Sequence, residues 1–234
     1  MTFDGTGAAL PELCAQMTGA WAECDAATLL KHVFALDRRI AVVSSFGTEA
    51  AVLIALVAQA KPDAEIIFVD TLRHFGETHR YREKLSAMLG LTNVRVVKPD
   101  AAELLQHDPN ETLFQKDSDA CCRIRKVDPL RKALEGVEIW VTGRKRYQAD
   151  TRAAMPKIEW VGERIKINPL ADWTVERIVE EFRSRGLPAH PLEADGFLSI
   201  GCMPCTRRVA PGESHRGGRW SDLDKTECGI HTDV

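Results

Sequence analysis

Four of the chain's seven cysteines form two short pairs that lie far apart in the sequence. The first pair is Cys121 and Cys122, and the second is a Cys-x-x-Cys motif formed by Cys202 and Cys205. A Cys-x-x-Cys turn brings two thiolates onto one metal site. Adjacent cysteines diverge by about 100° around a helix axis, which strains binding to a single zinc ion but suits a cluster with several iron atoms. The pattern therefore favours an iron–sulfur cluster over zinc.

Other interpretations of the cysteine pairs stay open at this point. Cys202 and Cys205 could form a redox dithiol, although no strand precedes them in a thioredoxin-like pattern. The four could also hold zinc in a nucleotide-binding module without catalysis. The histidines offer no second metal site, because His74 and His79 miss the i, i+4 spacing of a helical zinc pair.

A fifth cysteine, Cys228, stands alone close to the end of the sequence. Lys225 and His231 flank it, and their charges could stabilise a thiolate. Such a cysteine is either accidental or reactive, and a mobile tail would suit a nucleophile that must meet first a buried small molecule and then a bulky protein reductant. Cys14 and Cys24 are interpreted as small apolar residues of early helices.

Basic residues in predicted loops mark candidate anion sites. These stretches are Lys126, residues 144–146 with Arg152, and residues 216–219. In the last stretch two glycines separate Arg216 from Arg219, which lets backbone and guanidinium groups approach a phosphate-like ligand closely. The turn at residues 44–48 adds hydroxyl groups and a helix N-terminus, which suit the phosphate or ribose of a nucleotide.

An α/β fold must position these residues. The predicted strands cover 40–46, 65–70, 94–97, 138–142 and 164–167, and the predicted helices lie within 11–37 and over 49–60, 78–89 and 175–185. Strands that alternate with helices indicate an open, mostly parallel twisted sheet with helices on both faces. We expect the turns after Val43, Asp70, Val97 and Thr142 to converge at the carboxyl edge, where ligands bind.

The predicted organisation has three regions. N-terminal helices occupy residues 1–38, a nucleotide-binding α/β domain with the metal site occupies 39–210, and a loop-rich segment with a mobile tail occupies 211–234. The net charge of -3 argues against a general nucleic-acid or membrane-surface binder. The apolar runs fall short of the ~20 residues of a membrane span, and the N-terminus lacks a signal pattern, so we expect a cytoplasmic protein.

In combination these motifs resemble the sulfonucleotide reductases, specifically the bacterial assimilatory adenylyl-sulfate (APS) reductases that carry a [4Fe-4S] cluster. The resemblance extends from about residue 40 to 231 and rests on residues 121–130, 142–146 with 151–152, 168–170, 200–207, 216–220 and 227–231. It implies an adenine-nucleotide α-hydrolase-like fold. It also implies reduction of APS to sulfite and AMP in sulfate assimilation and cysteine biosynthesis, with thioredoxin or glutaredoxin as the reductant.

The resemblance assigns roles to individual residues. Cys228 matches the nucleophile, on which an S-sulfocysteine would form. The matches to cluster ligands are Cys121, Cys122, Cys202 and Cys205. The matches to the phosphosulfate site are Lys126, Arg152, Arg216 and Arg219, and those to the adenosine pocket are Ser44, Ser45, Gly47, Asp70 and Thr71. This chain departs from the family at Leu72, where Gly is common, at Gly76, where Pro is common, and in the loop that begins at Ser44.

Substrate choice has an alternative. Reductases of the 3′-phosphorylated nucleotide PAPS resemble this chain but generally lack the cysteine quartet, so the quartet favours APS. A PAPS reductase or a dual-specificity enzyme is the alternative prediction, and a homo-oligomer is left open.

Overall fold

A six-stranded sheet forms the centre of the computed structural model, which describes residues 8–220, 225 and 227–231. The strands are β1 (Ile40–Val43), β2 (Glu65–Val69), β3 (Val94–Val97), β4 (Ile139–Thr142), β5 (Ile158–Val161) and β6 (Arg164–Ile167). Their order is β3-β2-β1-β4-β6-β5, and every pairing is parallel except that of β5 with β6. The strand order reverses between β1 and β4, the type of position at which open α/β sheets bind ligands.

Helices cover both faces of the sheet. They are α1 (Leu10–Trp21), α2 (Ala26–Phe34), α3 (Ala50–Ala60), α4 (Gly76–Leu89), α5 (Ala101–His107), α6 (Leu113–Lys116), α7 (Ser118–Cys122), α8 (Asp128–Ala133) and α9 (Val175–Ser184). Val42 and Phe68 pack in the larger apolar cluster with α1–α4 and α9, whereas Ala41, Ile67 and Trp140 pack against α8. The alternation along β1 and β2 therefore buries apolar side chains on both faces, as is typical of a parallel sheet.

The first cysteine pair belongs to a helical segment with one wide turn. Helix α7 ends at Cys122, a π-helical turn covers Arg123–Val127, and α8 follows directly. Such π turns are rare and occur frequently at functional sites. This one contains Arg125 and Lys126, which are both buried.

The predicted fold class is confirmed, with local differences. The first strand ends at Val43 rather than at residue 46, because the chain turns at Ser44 into a loop. Strand β5 was not predicted. It forms a hairpin with β6 whose turn begins at Gly162, with φ of 61°. Helices α5–α8 were also not predicted, because segments of four to seven residues show too little periodicity.

The last part of the chain is rich in loops, as expected. Its described residues include short 3-10 turns at Pro191–Glu193 and Met203–Cys205. The predicted mobile tail lies partly outside the described residues, at 221–224, 226 and 232–234, and so does the start of the predicted N-terminal region, at 1–7. Among the described helices none has the length and apolar character needed to cross a bilayer.

Candidate active site

A cavity opens at the carboxyl ends of β1, β2 and β4. Ser44, Ser45 and Gly47 line it after β1, Thr71 lines it after β2, and residues 143–145 line it after β4. The turn after β3 does not line it, contrary to the expectation for Val97, because β3 is the far edge strand of the sheet. The remaining residues of the predicted substrate and nucleophile sites that line the cavity are Lys126, Arg152, Arg216, Arg219 and Cys228.

Asp70 differs from the other predicted substrate residues, because it is absent from the described lining of the cavity although Val69 and Thr71 contribute to it. One Asp70 carboxylate oxygen accepts a hydrogen bond from the Leu72 N–H at 3.0 Å. Leu72 has a φ of 60°, in the left-handed region that favours glycine. This backbone explains why a glycine is common at that position in the resembling family.

Three of the arginines that line the cavity are held in place by neighbouring residues. Arg152 Nε and Nη2 donate to the two carboxylate oxygens of Glu227 at 2.7 and 2.8 Å, and Arg216 Nη1 lies 3.8 Å from the same carboxylate. Arg219 lies against Gly201, where a Cβ atom would come within 2.3 Å of Nη2. A side chain at position 201 would therefore force this guanidinium group to move.

The four paired cysteines are brought together from the two distant segments. Burial, together with charge repulsion from the thiols of Cys122, Cys202 and Cys205, raises the pKa of Cys121 to about 11. Burial likewise raises the pKa of Cys205, with Cys202 as the next cause. The four thiols therefore lie close enough to influence one another's charge.

The spacing of these thiols is wider than that of a compact metal site. All four cysteines are among the described residues, and no three of their Sγ atoms lie within 4.8 Å of one another. In tetrahedral zinc sites the sulfurs are about 3.8 Å apart, given Zn–S bonds of about 2.3 Å. The quartet would have to contract to bind one zinc ion.

Lys126 supplies positive charge at the centre of the thiols. Burial opposes its protonation, but the charges of Cys202, Cys228 and Cys122 hold the pKa of Lys126 above its ordinary value. In turn, although burial opposes ionisation, the Lys126 ammonium and a hydrogen bond from Thr71 lower the pKa of Cys202. Lys126 and Cys228 are therefore neighbours of the quartet as well as of the cavity.

The tail that carries Cys228 is docked on the sheet. Lys166 Nζ donates to the His231 carbonyl at 2.8 Å, and the His231 ring stacks on Trp140 with centroids 5.9 Å apart. Ile230 packs against the apolar cluster that contains Trp140. On the other side of Cys228, Lys225 contacts the Ser118 carbonyl and the Asp119 carboxylate. Contacts on both sides thus hold the thiol at the cavity.

Matches to known proteins agree with this geometry. A model of the phosphoadenosine phosphosulfate reductase domain matches residues 39–208. The chain belongs to this family. It is 52% identical over 192 residues to an adenosine 5′-phosphosulfate reductase of Chelativorans sp. (strain BNC1), covering 82% of this chain and 78% of the relative. A reductase with the same description from Deinococcus radiodurans is 42% identical over 211 residues, which cover 89% and 82% of the two chains. The resemblance inferred from the motifs is confirmed.

Solved structures give the same result for the fold. A phosphoadenylyl-sulfate reductase from Candida auris, solved with phosphate, superimposes with a TM-score of 0.72 at 25% identity and covers 85% of this chain and 97% of its own. An FMN adenylyltransferase from Candida glabrata superimposes with a TM-score of 0.55 at 15% identity, covering 94% and 85% of the two chains. The second match concerns the fold alone.

Arg125, next to the first cysteine pair, has a structural role in this chain. Arg125 Nη2 lies 2.6 Å from the Asp108 carboxylate, and both side chains are almost fully buried. Arg125 Nη1 also donates to the Thr71 carbonyl at 3.1 Å. Thr71 Oγ1 in turn lies 3.2 Å from Cys202 Sγ. The buried ion pair thus fixes the segment that contacts a predicted cluster ligand.

A group of three metal-ligand residues was not expected from the sequence. Donor atoms of Asp70, His74 and His79 lie within 4.8 Å of one another. His74 precedes α4, so the i, i+4 spacing of a helical zinc pair does not apply to it. Burial and the nearby Lys126 ammonium lower the pKa of His74, whereas Asp70 raises it. Because Lys126 would repel a cation here, we interpret the group as hydrogen-bonded support for the β2 edge.

Sequence reasoning also missed a polar network around Glu49, which Gln148 connects to Arg152. The Glu49 carboxylate lies 2.8 Å from Lys145 Nζ, accepts hydrogen bonds from Tyr147 and Gln148 and contacts His215. Lys145, part of the basic stretch at residues 144–146, is therefore paired, and Arg144 is paired with Glu159. A charge count alone suggested an anion site there, and only tertiary contacts reveal the acidic partners.

Proposed function

We propose that this protein reduces adenosine 5′-phosphosulfate to sulfite and AMP, with Cys228 as the nucleophile. The observation that carries the proposal is the position of Cys228, on a docked tail in the same cavity as Lys126, Arg152, Arg216 and Arg219. The relatives described as adenosine 5′-phosphosulfate reductases support APS as the substrate. The chain is accordingly an oxidoreductase that acts on a sulfur group.

The proposed reaction has two displacement steps. In the first, the Cys228 thiolate attacks the sulfur of APS, a Sγ–S bond forms, the S–O bond to the phosphate breaks, and AMP leaves. In the second, a thiolate of a dithiol reductant attacks Cys228 Sγ and releases sulfite. The second thiol of the reductant then resolves the mixed disulfide, so the two electrons come from the dithiol.

Positive charge makes the first step feasible. A thiolate and a phosphosulfate repel each other, and the buried Lys126 ammonium adjoins Cys228 while the arginines line the same cavity. Preorganised cations in a water-poor site stabilise such a transition state strongly. We assign Lys126, Arg152, Arg216 and Arg219 to the phosphosulfate. Ser44, Ser45, Gly47 and Thr71 are assigned to the nucleotide, and Asp70 supports their edge of the sheet.

We further propose that Cys121, Cys122, Cys202 and Cys205 hold a [4Fe-4S] cluster. The thiols are mutually close yet spaced more widely than zinc requires, and adjacent Cys121 and Cys122 suit ligands of different iron atoms. When bound, the cluster would contribute structure and electrostatics beside the substrate rather than electrons, because the thiols supply both. Colourless zinc-containing protein would support the non-catalytic module instead.

The reductant is proposed to be thioredoxin, or glutaredoxin, in the cytoplasm. A dithiol is needed for the second step, and all seven cysteines of this chain are free of disulfides. A protein dithiol must reach Cys228, which is half-buried on the docked tail. The tail must therefore leave the cavity between the two steps.

PAPS is the second candidate substrate, because the family description and the Candida auris reductase both name it. Steady-state kinetics with APS and PAPS, thioredoxin and iron-loaded protein test the two. We expect a higher kcat/KM for APS and loss of sulfite formation in Cys228→Ser. Cys14→Ser, a variant of a buried cysteine outside the cavity, is the control. Normal sulfite formation by Cys228→Ser would refute the proposed function.

A further inference from the structure

Glu227 forms ion pairs with arginines that we assign to the substrate anion. Its carboxylate forms a bidentate pair with Arg152, at 2.7 and 2.8 Å, and lies 3.8 Å from Arg216 Nη1. The side chains of Arg152 and Glu227 are 9% and 21% exposed, so the pair is shielded from water. Glu227 directly precedes Cys228 in the sequence. The carboxylate nearest to the nucleophile in the chain thus contacts the site assigned to the substrate anion.

A carboxylate and a phosphate or sulfate present the same pair of oxygens to a guanidinium group. The Nε and Nη2 atoms of Arg152 form one edge, which can bind one such pair at a time. The edge of Arg152 that binds Glu227 cannot at the same time bind a substrate oxygen pair. The two anions are therefore competitors for the same donors.

We propose that Glu227 is an internal substitute for the substrate anion, which keeps the tail docked over the empty cavity and is displaced when an anionic nucleotide binds. The proposal rests on the proposed function for the identity of the nucleotide. It assigns to Glu227 a positioning role, because it acts on the location of Cys228 and not on the reacting atoms. By thermodynamic linkage, the free energy with which Glu227 stabilises the docked tail lowers the binding free energy of the nucleotide by the same amount.

The charge balance of the cavity supports this role. Among the described residues that line it, the carboxylates are Glu49 and Glu227. Glu49 is held by Lys145 and Tyr147, and Gln148 separates it from Arg152, because the Gln148 amide donates to Glu49 while its Oε1 accepts from Arg152 Nη1 at 2.6 Å. Glu227 is thus the carboxylate that offsets the arginine charge when no ligand is bound, and a bound phosphosulfate would replace that charge. The tail would then be held only by its flanking contacts, which keep Cys228 at the cavity for the first step and allow the tail to open more readily for a protein reductant afterwards.

The test compares Glu227→Gln with Glu213→Gln. Glu213 forms a bidentate pair of the same length with Arg207, at 2.8 and 2.7 Å, outside the cavity lining and with side chains 33% and 43% exposed, so it controls for loss of an Arg–Glu pair in the same loop-rich segment. We expect Glu227→Gln to bind AMP about tenfold more tightly, a change of about 1.4 kcal/mol, because the charged carboxylate no longer competes for Arg152. Adenosine, which lacks the anion, should bind the wild type and both variants equally. Glu227→Asp keeps the negative charge, so it should bind AMP nearly as weakly as the wild type does.

A second readout follows the tail directly. In the wild type, AMP should increase the rate of Cys228 alkylation by iodoacetamide, because it displaces Glu227. In Glu227→Gln that rate should be high without AMP and respond little to it. If AMP affinity and alkylation in Glu227→Gln match those of Glu213→Gln, the inference is wrong, whatever the catalytic activity. If the wild type forms no sulfite from APS but shows both AMP effects, the proposed reaction fails and the role of Glu227 stands.

Discussion

The buried ion pair of Arg125 and Asp108 links the stability of the fold to the site, and its removal gives the sharpest stability prediction. The two side chains are 3% and 2% exposed and their charged atoms are 2.6 Å apart. In Asp108→Asn, Arg125 still donates a hydrogen bond to the Thr71 carbonyl, but its buried positive charge no longer has a negative partner. Removing one partner of a buried pair costs about 3–5 kcal/mol, and we expect the lower end because the Asn oxygen can still accept from the Leu113 N–H.

Urea unfolding of the iron-loaded protein measures this effect. With a slope of roughly 3 kcal/mol per molar urea, the midpoint should fall by about 1 M. Asp128→Asn is the matched control, because its partner Arg131 also lies 2.8 Å away but the two side chains are 44% and 52% exposed. We expect that control to change stability by less than about 0.5 kcal/mol.

Removing both buried charges shows whether the instability of Asp108→Asn comes from the unpaired Arg125 charge or from the loss of contacts. The double variant Asp108→Leu/Arg125→Met should recover part of the stability lost in Asp108→Asn, because no isolated charge remains in the interior. Equal midpoints for Asp108→Asn and Asp128→Asn, or a double variant less stable than Asp108→Asn, would refute the reasoning.

Three further predictions concern the site and the pH dependence of stability. Gly201→Ala should raise KM for APS about tenfold with a small change in Tm, because the new Cβ would displace the flexible end of Arg219; an unchanged KM would contradict the contact. Lys126→Gln should lower kcat/KM by about 100-fold or more as the charge beside the nucleophile is lost, and a change below threefold would exclude that role. Burial lowers the pKa of His190 to about 4 from 6.5, so the unfolded chain binds a proton that the folded chain excludes. Stability should therefore fall as the pH drops from 6.5 to 4, and His190→Gln, which keeps a polar group beside Thr78, should show a smaller fall in thermal unfolding across that range.

Local patterns in the sequence were sufficient for the five parallel strands of the sheet but not for the antiparallel β5. The β-branched runs at β1 and β2 and the apolar helix α3 between them fix a strand–helix–strand unit, and parallel strands must place their carboxyl ends at one edge. The extent of the cavity was less predictable. Strand order decides that the turns after β1, β2 and β4 line it and the turn after β3 does not, and strand order depends on tertiary packing.

Motif spacing likewise identified the cysteines and the arginines but not their partners. Glu227 looks like an ordinary surface charge in the sequence, and its pairing with Arg152 requires a contact across 75 positions. His74 and His79 approach each other because His74 lies outside α4, which helical spacing could not anticipate. Pairings between distant charges carry no local signal, so they appear only when the chain is folded.

The most direct test of the account is to detect the covalent intermediate. Iron-loaded protein is incubated with APS without any reductant, digested and analysed by mass spectrometry, while AMP and sulfite are measured in solution. We predict one AMP released per chain, a sulfonate adduct on the peptide that contains Cys228, and sulfite only after thioredoxin is added. An adduct on another cysteine, or sulfite released before any thiol is added, would contradict Cys228 as the nucleophile.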